Sequence, residues 1–400
     1  MTSSNSGLTA NDLKPLLPNH PLGVFEDACL PMRAPRYSGC QACEDACPSK
    51  SIHLEQNLLR LDESCLRCGR CAAACPMGAL VLPGFSVPAL ERKPAPPVSV
   101  DCFKVPAKLS LDQGIRVPCL GGLSPGRILE MVAEAGARVV ELVDRGWCAN
   151  CSAGCSGAHP VSTSLHRARE LLEAAGAGPE LLPYLRKLHL PADLMPQEIP
   201  PPDSEKKLSR RNFFSALTAR ATLAIDQIKP LAPAVEARRR RGFERDPVPS
   251  RERQRLLDAI RQIGKNAWLY PPPNLFTRVA IDDSCDNHQL CASICPTGAL
   301  AVFDSPGKSE MVFDSQICIG CSECRAICPT GAITVLPNGY NDSGLTLPDR
   351  PSRLTAFSER SCIQCGQSYA ERCDEELCPQ CRKRAQLARS AFQFLFRSRE

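Results

Sequence analysis

The sequence predicts an α+β multidomain chain. Two copies of one cysteine-rich module flank a central α/β domain, and a small cysteine knuckle follows. Three observations predict this. The 25 cysteines in 400 residues fall into tight C-x2-C and C-x3-C groups. One cysteine pattern recurs near both ends. The stretch between the copies alternates strand and helix signals.

Four hundred residues allow two to four domains. The hydrophobic fraction of 43% and charged fraction of 23% are those of a globular chain, which excludes disorder throughout. Aromatics at 5% exclude one large aromatic core. Cysteine wealth means either a secreted disulfide scaffold or metal ligation in a reducing compartment. The start, MTSSNSGLTANDLKPLLP, has no basic region followed by an apolar run, so the expected location is cytoplasmic. No window reaches the roughly 18 apolar residues of a membrane span. A net charge of +5 is too small to imply nucleic acid.

Five parts follow from the cysteine spacing. Residues 25–85 form the first cysteine block, and the Pro-rich 86–99 reads as a linker. Residues 98–195 read as the α/β domain, and 196–275 as a basic helical linker without cysteine. Residues 276–340 repeat the first block, and 355–400 carry two further knuckles and a helix. The repeat is explicit in CPMGAL (75–80), CPTGAL (295–300) and CPTGAI (328–333). In the middle part, Ser124 suits an N-cap and Pro125 the first helical position. Ile128, Met131, Val132 and Ala135 share one face, and Gly136 ends the helix. ARVVELV (137–143) reads as a buried strand, and Leu165, Ala168, Leu171, Leu172 and Ala175 mark a second amphipathic helix.

The pattern C-x2-C-x2-C-x3-C-P occurs as Cys65, Cys68, Cys71, Cys75, Pro76 and again as Cys318, Cys321, Cys324, Cys328, Pro329. Three thiolates on a short loop wrap three irons of one cubane. The fourth cysteine, beyond a helical turn, faces a second cluster, and proline stops the helix there. Thiolates are the soft ligands such iron prefers. Each end block therefore resembles a bacterial two-cluster ferredoxin. The resemblance implies that Cys47 completes the set of Cys65, Cys68 and Cys71, while Cys75 joins Cys40 and Cys43. In the second block, Cys295 completes the set of Cys318, Cys321 and Cys324, and Cys328 joins Cys285 and Cys291.

Two positions depart from the pattern. Tyr37 stands where the first ligand of its motif belongs, and Cys29, eight residues upstream, is either the replacement thiolate or a structural thiol. His288 stands where a second cysteine belongs. It either ligates iron, as nitrogen does in Rieske centres, or sits beside a 3Fe-4S cluster.

The central part carries Cys102, Cys119, Cys148, Cys151 and Cys155, enough for one metal site. A 2Fe-2S cluster, zinc and a redox-active thiol pair are the readings. The run IRVPCLGGLSPGRILEMVAEAGARVVELVDRGWCANC (115–151) resembles the delta subunit of methyl-viologen-reducing hydrogenase. That family carries a 2Fe-2S cluster and links a hydrogenase or formate dehydrogenase to heterodisulfide reductase. This chain lacks the family's second cysteine near Cys102 and its glycine–histidine pattern. The pairs Cys362/Cys365 and Cys378/Cys381, twelve residues apart, resemble a zinc ribbon, with rubredoxin-like iron as the alternative. Cys373 is given no role.

Between Lys206 and Lys265, sixteen Lys/Arg face six Asp/Glu, with Arg238–Arg241 the densest run. A solvated linker is the first reading, a docking surface for an acidic partner the second; nucleic acid is disfavoured because aromatics are not interleaved. LSRRNFFSALTARATLAI (208–225) resembles a twin-arginine export motif, but its place deep in the chain favours a docking helix. There is no dinucleotide fingerprint, P-loop, radical-SAM loop or catalytic triad.

These features together predict an iron–sulfur electron-transfer protein. It would carry up to four 4Fe-4S clusters, a possible 2Fe-2S cluster and zinc, and have no catalytic residues of its own. Its expected partners are redox proteins in a larger oxidoreductase complex. The alternatives are a cluster-based reductase of a disulfide or small molecule, and a redox-sensing nucleic-acid-binding regulator. Cys47→Ala is expected to damage the cluster at Cys65, Cys68 and Cys71 as well as its own loop. An intact spectrum from that cluster would rule out the crossing ligand.

Overall fold

In the computed structural model the described residues are 12–33, 39–85, 96–111, 114–154, 157–196, 247–263, 275–305, 307–337, 351–370 and 376–396. Tyr37, Cys155, Cys373, Arg238–Arg241 and the 208–225 run lie outside them. No helix among the described residues is long and apolar enough to cross a membrane.

The first module is built on two small antiparallel sheets. Leu13–Pro15, Gly23–Phe25 and Leu80–Val81 form one, in that order. Ile52–Glu55 and Leu58–Leu61 form the other, a hairpin in register Ile52↔Leu61. Its two turn residues, Gln56 and Asn57, both have positive φ, 48° and 64°, which matches the twist that two-residue hairpins need. The second module repeats the plan. Arg278–Ile281 pairs with Ile333–Leu336, and Leu300–Ser305 with Lys308–Phe313. Its hairpin then grows: Ser352–Ser361 adds beside Lys308–Phe313, and Ser368–Ala370 beside that. The C-terminal knuckle is thus an extension of the second module's sheet.

The central domain holds four parallel strands in the order Ile115–Val117, Val98–Cys102, Val140–Asp144, Tyr184–Lys187. Helix Pro125–Ala135 starts as its residues dictate: Ser124 Oγ accepts the Arg127 N–H at 3.2 Å. Its predicted apolar face is buried, with Ile128 and Met131 at 0% exposure. The strand expected from residue 137 begins at Val140, because Gly136 at φ 66° and the next three residues make the connection. Helix Ser162–Ala174 buries Leu165, Ala168, Leu171 and Leu172. The first strand in sequence is followed on one side by the second and on the other by the third. The switch point therefore lies between Val98–Cys102 and Val140–Asp144, where open parallel sheets bind their ligands. There Arg145 makes a bidentate pair with buried Asp101, both bonds 2.8 Å, and Ser110 Oγ donates to the same carboxylate at 2.9 Å.

The described part of the basic stretch corrects one reading. It is not a solvated linker, because its hydrophobic stripe and three of its polar heads are taken up by all three folded parts. Helix Arg251–Ile263 buries Leu257, Ala259 and Ile260 and packs on Pro125–Ala135. Glu252 accepts from Gly126 N at 2.8 Å and from Ser124 Oγ at 2.9 Å, which places a carboxylate on the start of that helix. Arg251 stacks on Phe25 of the first module and Arg253 on Phe276 of the second, 5.0 and 4.9 Å from the ring centres.

The central domain also abuts the first module directly. A Cβ at Gly122 would lie 2.4 Å from the Cys68 carbonyl oxygen and 2.4 Å from Phe85. Backbone cannot yield as a flexible side chain can. Gly122→Ala is therefore expected to cost about 1–3 kcal/mol of stability, read by chemical denaturation. Wild-type stability in that variant would show that the two parts do not dock this closely.

Candidate metal centres

Each module gathers its cysteines into two sets. One apolar cavity in the first module is lined by Cys47, Cys65, Cys68 and Cys71, with Leu22, Ile52 and Leu82. A second is lined by Cys29, Cys40, Cys43 and Cys75, with Leu54 and Met77. Cys47 and Cys75 have thus exchanged places relative to the sequence motifs. Cys29, 7% exposed, stands in the cavity that lacks a fourth motif cysteine.

In the second module, Cys318, Cys321 and Cys324 each feel the charge of Cys295, and Cys291 feels Cys285 and Cys328. These neighbours fit the same exchange in the second module. The four groups are called below the Cys47, Cys75, Cys295 and Cys328 sets, after the cysteine that crosses over.

Three of the loops share one backbone conformation. Arg67 and Gly69 have φ of 51° and 77° around Cys68. Gly320 and Ser322 have 69° and 63° around Cys321. Asn287 and Gln289 have 52° and 60° around His288. Two left-handed residues bracket the second ligand position in each, and the short helix then starts. His288 thus occupies the backbone position of Cys68 and Cys321, although its side chain is exposed. The loop at Cys40 is different: Gln41 has φ −122°, and Gly39 is not left-handed.

Burial pushes most of these thiols up. Cys29 and Cys43 rise to about 12 and so does Cys291; Cys71 and Cys321 rise further. Sets of buried thiols facing one another are poor acids until a cation joins them, which is the condition metal binding meets. Cys47 is the exception in its set. Burial raises it, but the Ser49 hydroxyl and the N–H groups of Ser51, Ile52 and Ser49 outweigh burial and hold it low. The Ser51 N–H reaches its sulfur at 3.3 Å. Cys75 and Cys295 likewise receive the N–H of Ala79 and Leu300, at 3.3 and 3.5 Å.

In the central domain, Cys102 ends one strand, while Cys119 and Cys148 follow two others, all at the carboxyl edge beside the switch point. Burial raises both Cys102 and Cys119; Cys119 feels the charge of Cys68 of the first module first and then those of Cys102 and Cys148, and Cys102 feels Cys151. Two neighbours escaped sequence reasoning. His159 Nε2 lies 3.2 Å from Cys148 Sγ, and Lys104 Nζ lies 3.8 Å from Cys151 Sγ. Asp144 joins Cys148 and His159 in a group whose ligand atoms lie within 4.8 Å of one another. However, the Val161 N–H donates to His159 Nδ1 at 3.3 Å, which leaves the ring proton on Nε2. His159 in that tautomer donates to the Cys148 sulfur and has no lone pair there for a metal. A histidine eight residues after Cys151 was the only signal in the sequence, and Lys104, two after Cys102, gave none.

The knuckle differs in scale. The sulfurs of Cys362, Cys365, Cys378 and Cys381 lie within 4.8 Å of one another, the separation suited to one ion. Cys365 and Cys378 are 3.7 Å apart. The Cys378 N–H donates to Cys362 Sγ at 3.3 Å and is the main reason that Cys362 is held down, to about 6. Among the described residues the ferredoxin-like and central cysteine sets are not drawn this close, as ligands spread around a multi-iron cluster would be.

Comparison with known families gives two matches, both inside the end modules. The 4Fe-4S dicluster domain family matches residues 283–332. The 4Fe-4S binding domain family matches residues 61–81. No curated protein matches the chain.

Because His288 sits at a cysteine's backbone position, His288→Cys is expected to give the Cys328 set the spectrum of an ordinary 4Fe-4S cluster. An unchanged spectrum after reconstitution would place His288 outside the ligand sphere.

Proposed function

We propose that this chain, an iron–sulfur protein with two 4Fe-4S ferredoxin-type domains, is the multi-cluster electron relay of a larger oxidoreductase. The observation that carries the reading is the exchange of Cys47 with Cys75 and of Cys295 with Cys328 between cavities. It leaves each set with thiolates from both motifs of its module, the arrangement of a two-cluster ferredoxin.

When bound, a 4Fe-4S cluster supplies one-electron redox chemistry, and the side chains here do the rest. Cys47, Cys65, Cys68 and Cys71 would hold one cluster, and Cys29, Cys40, Cys43 and Cys75 a second. Cys295, Cys318, Cys321 and Cys324 would hold a third. Cys285, Cys291 and Cys328 would hold the fourth, as 4Fe-4S with His288 or as 3Fe-4S without it. Cys102, Cys119, Cys148 and Cys151 fit a 2Fe-2S cluster better than zinc, since their sulfurs are not within single-ion distance. Cys362, Cys365, Cys378 and Cys381 fit a closed structural zinc site. Apolar residues such as Leu22, Ile52 and Leu54 exclude water from the first module's sites and so influence their potentials.

The likeness of the central stretch to the hydrogenase delta subunit supports a hydrogenase, formate dehydrogenase or heterodisulfide-reductase-like complex as the setting.

The test is anaerobic purification of the tagged chain from its native cell, with iron, sulfide and subunit analysis. Iron and acid-labile sulfide in equal amounts, with a stoichiometric flavin, molybdenum or nickel–iron subunit, are the expected result. A chain recovered alone and unable to take up iron on reconstitution would overturn the reading.

A further inference from the structure

The two end modules grip the same short stretch of chain. Val248 N donates to Pro296 O at 2.8 Å. Ser250 Oγ donates to Pro76 O at 2.7 Å, and Arg251 N to Met77 O at 3.1 Å. Pro76 and Pro296 have matching roles, because each directly follows a crossing cysteine, Cys75 or Cys295. Two residues of extended chain cover at most about 7 Å, so the two prolyl carbonyls stand within roughly 15 Å of each other.

Arg253 reinforces the approach from the same helix. Its guanidinium donates to Gln316 O at 2.8 Å, to Ser315 O at 3.1 Å and to Leu275 O. These contacts lie just before Cys318, whose thiol shares a charge interaction with Arg253. Every contact on the second module therefore falls beside the Cys295 set. Every contact on the first module, including Arg251 over Phe25, falls beside the Cys75 set.

At the other side of the first module, the Cys47 set faces the central domain. Cys119 feels the charge of Cys68, and Gly122 lies against the Cys68 carbonyl. Cys321 of the Cys295 set packs against the core that includes the first module, whereas Cys291 and Cys328 of the other set pack in the second module's own core, and His288 is exposed.

We propose that Val248–Arg253 is the junction that joins the two modules into one relay. The resulting order is the central site, the Cys47 set, the Cys75 set, the junction, the Cys295 set and the Cys328 set. This inference rests on the electron-relay reading above. In each passage across the junction a cluster held by the Cys75 set would pass one electron to a cluster held by the Cys295 set. No bond forms or breaks and no proton is required. A low-potential reductant supplies the first electron, dithionite in the test below. Ser250 and Arg253 are positioning residues in this scheme and ligate nothing.

The experiment uses the full chain, reconstituted anaerobically and reduced with dithionite, as wild type, Arg253→Met and Ser250→Ala. Iron and sulfide per chain are measured first. Magnetic coupling between modules is then read from the broadening and power saturation of the reduced electron paramagnetic resonance signals. The expected result is wild-type iron in both variants, loss of intermodule broadening in Arg253→Met and a smaller loss in Ser250→Ala. Should Arg253→Met fail to fold, Ser250→Ala decides, since it removes one hydroxyl. Wild-type iron with unchanged broadening in Ser250→Ala and in any folded Arg253→Met would overturn the junction and leave the relay reading standing. A wild-type chain that takes up no iron would overturn the relay reading itself.

Discussion

The Arg253 guanidinium is buried, stacked on Phe276, and engaged by the carbonyls of Leu275, Ser315 and Gln316. A buried cation is tolerable only when its donors are used, and here backbone oxygens of the second module use them. Burial still lowers Arg253, to about 10, so the site is held at a cost that the Cys318 and Asp314 charges partly offset. One residue earlier, Glu252 caps the central domain's first helix, and two residues earlier, Arg251 lies on Phe25 of the first module. Ser250 does two jobs at once: its oxygen accepts the Arg253 N–H as an N-cap while its hydroxyl donates to Pro76. Four consecutive residues thus orient three folded parts, and loosening any of them frees one part from the other two.

A second constraint acts inside each module. The cysteines are buried in apolar cavities, where burial disfavours their thiolate form. At Cys47 and Cys328 a neighbouring hydroxyl, of Ser49 or Thr330, together with converging backbone N–H groups outweighs burial and lowers the thiol, whereas Cys75 stays raised by burial although three N–H groups converge on it. The crossing cysteines are the ones followed by proline and a tight turn, so the turn that aims each side chain at the far cavity also supplies its donors. Geometry and electrostatics there have one cause, the C-P-x-G or C-P-S-K turn.

The 4Fe-4S character of the end modules was legible in the sequence because it is local. Spacing within Cys65–Cys75 and Cys318–Cys328 fixes which loops carry thiolates, and both family matches fall on or around these runs. Ser124, Pro125 and Gly136 announced their helix through backbone rules that need no partner. What the sequence hid is long-range. Ser250 and Pro76 are 174 residues apart, and Ser124 and Glu252 are 128 apart, so neither contact leaves a local pattern. Charge counting saw a basic stretch and read it as solvated, because counting cannot distinguish an arginine in water from one whose donors meet buried carbonyls. His159 was missed for a related reason: only folding brings it beside Cys148, and only Val161 reveals its tautomer.

The charges near each sulfur group are unequal, and in the proposed relay that inequality would set the relative potentials. The reduced form of any iron–sulfur cluster carries one more negative charge than the oxidised form. Cations and N–H donors close to its sulfurs therefore favour reduction and raise the potential. Arg253 stands beside the Cys295 set, while the central site has Lys104 at Cys151 and the His159 N–H at Cys148. Around the Cys75 set, by contrast, Leu54, Leu59, Met77 and Leu80 supply mostly apolar surface. In the proposed relay a cluster there would have no cation comparable to Arg253 beside it among the described residues, and an electron leaving it would move downhill across the junction towards the Cys295 set.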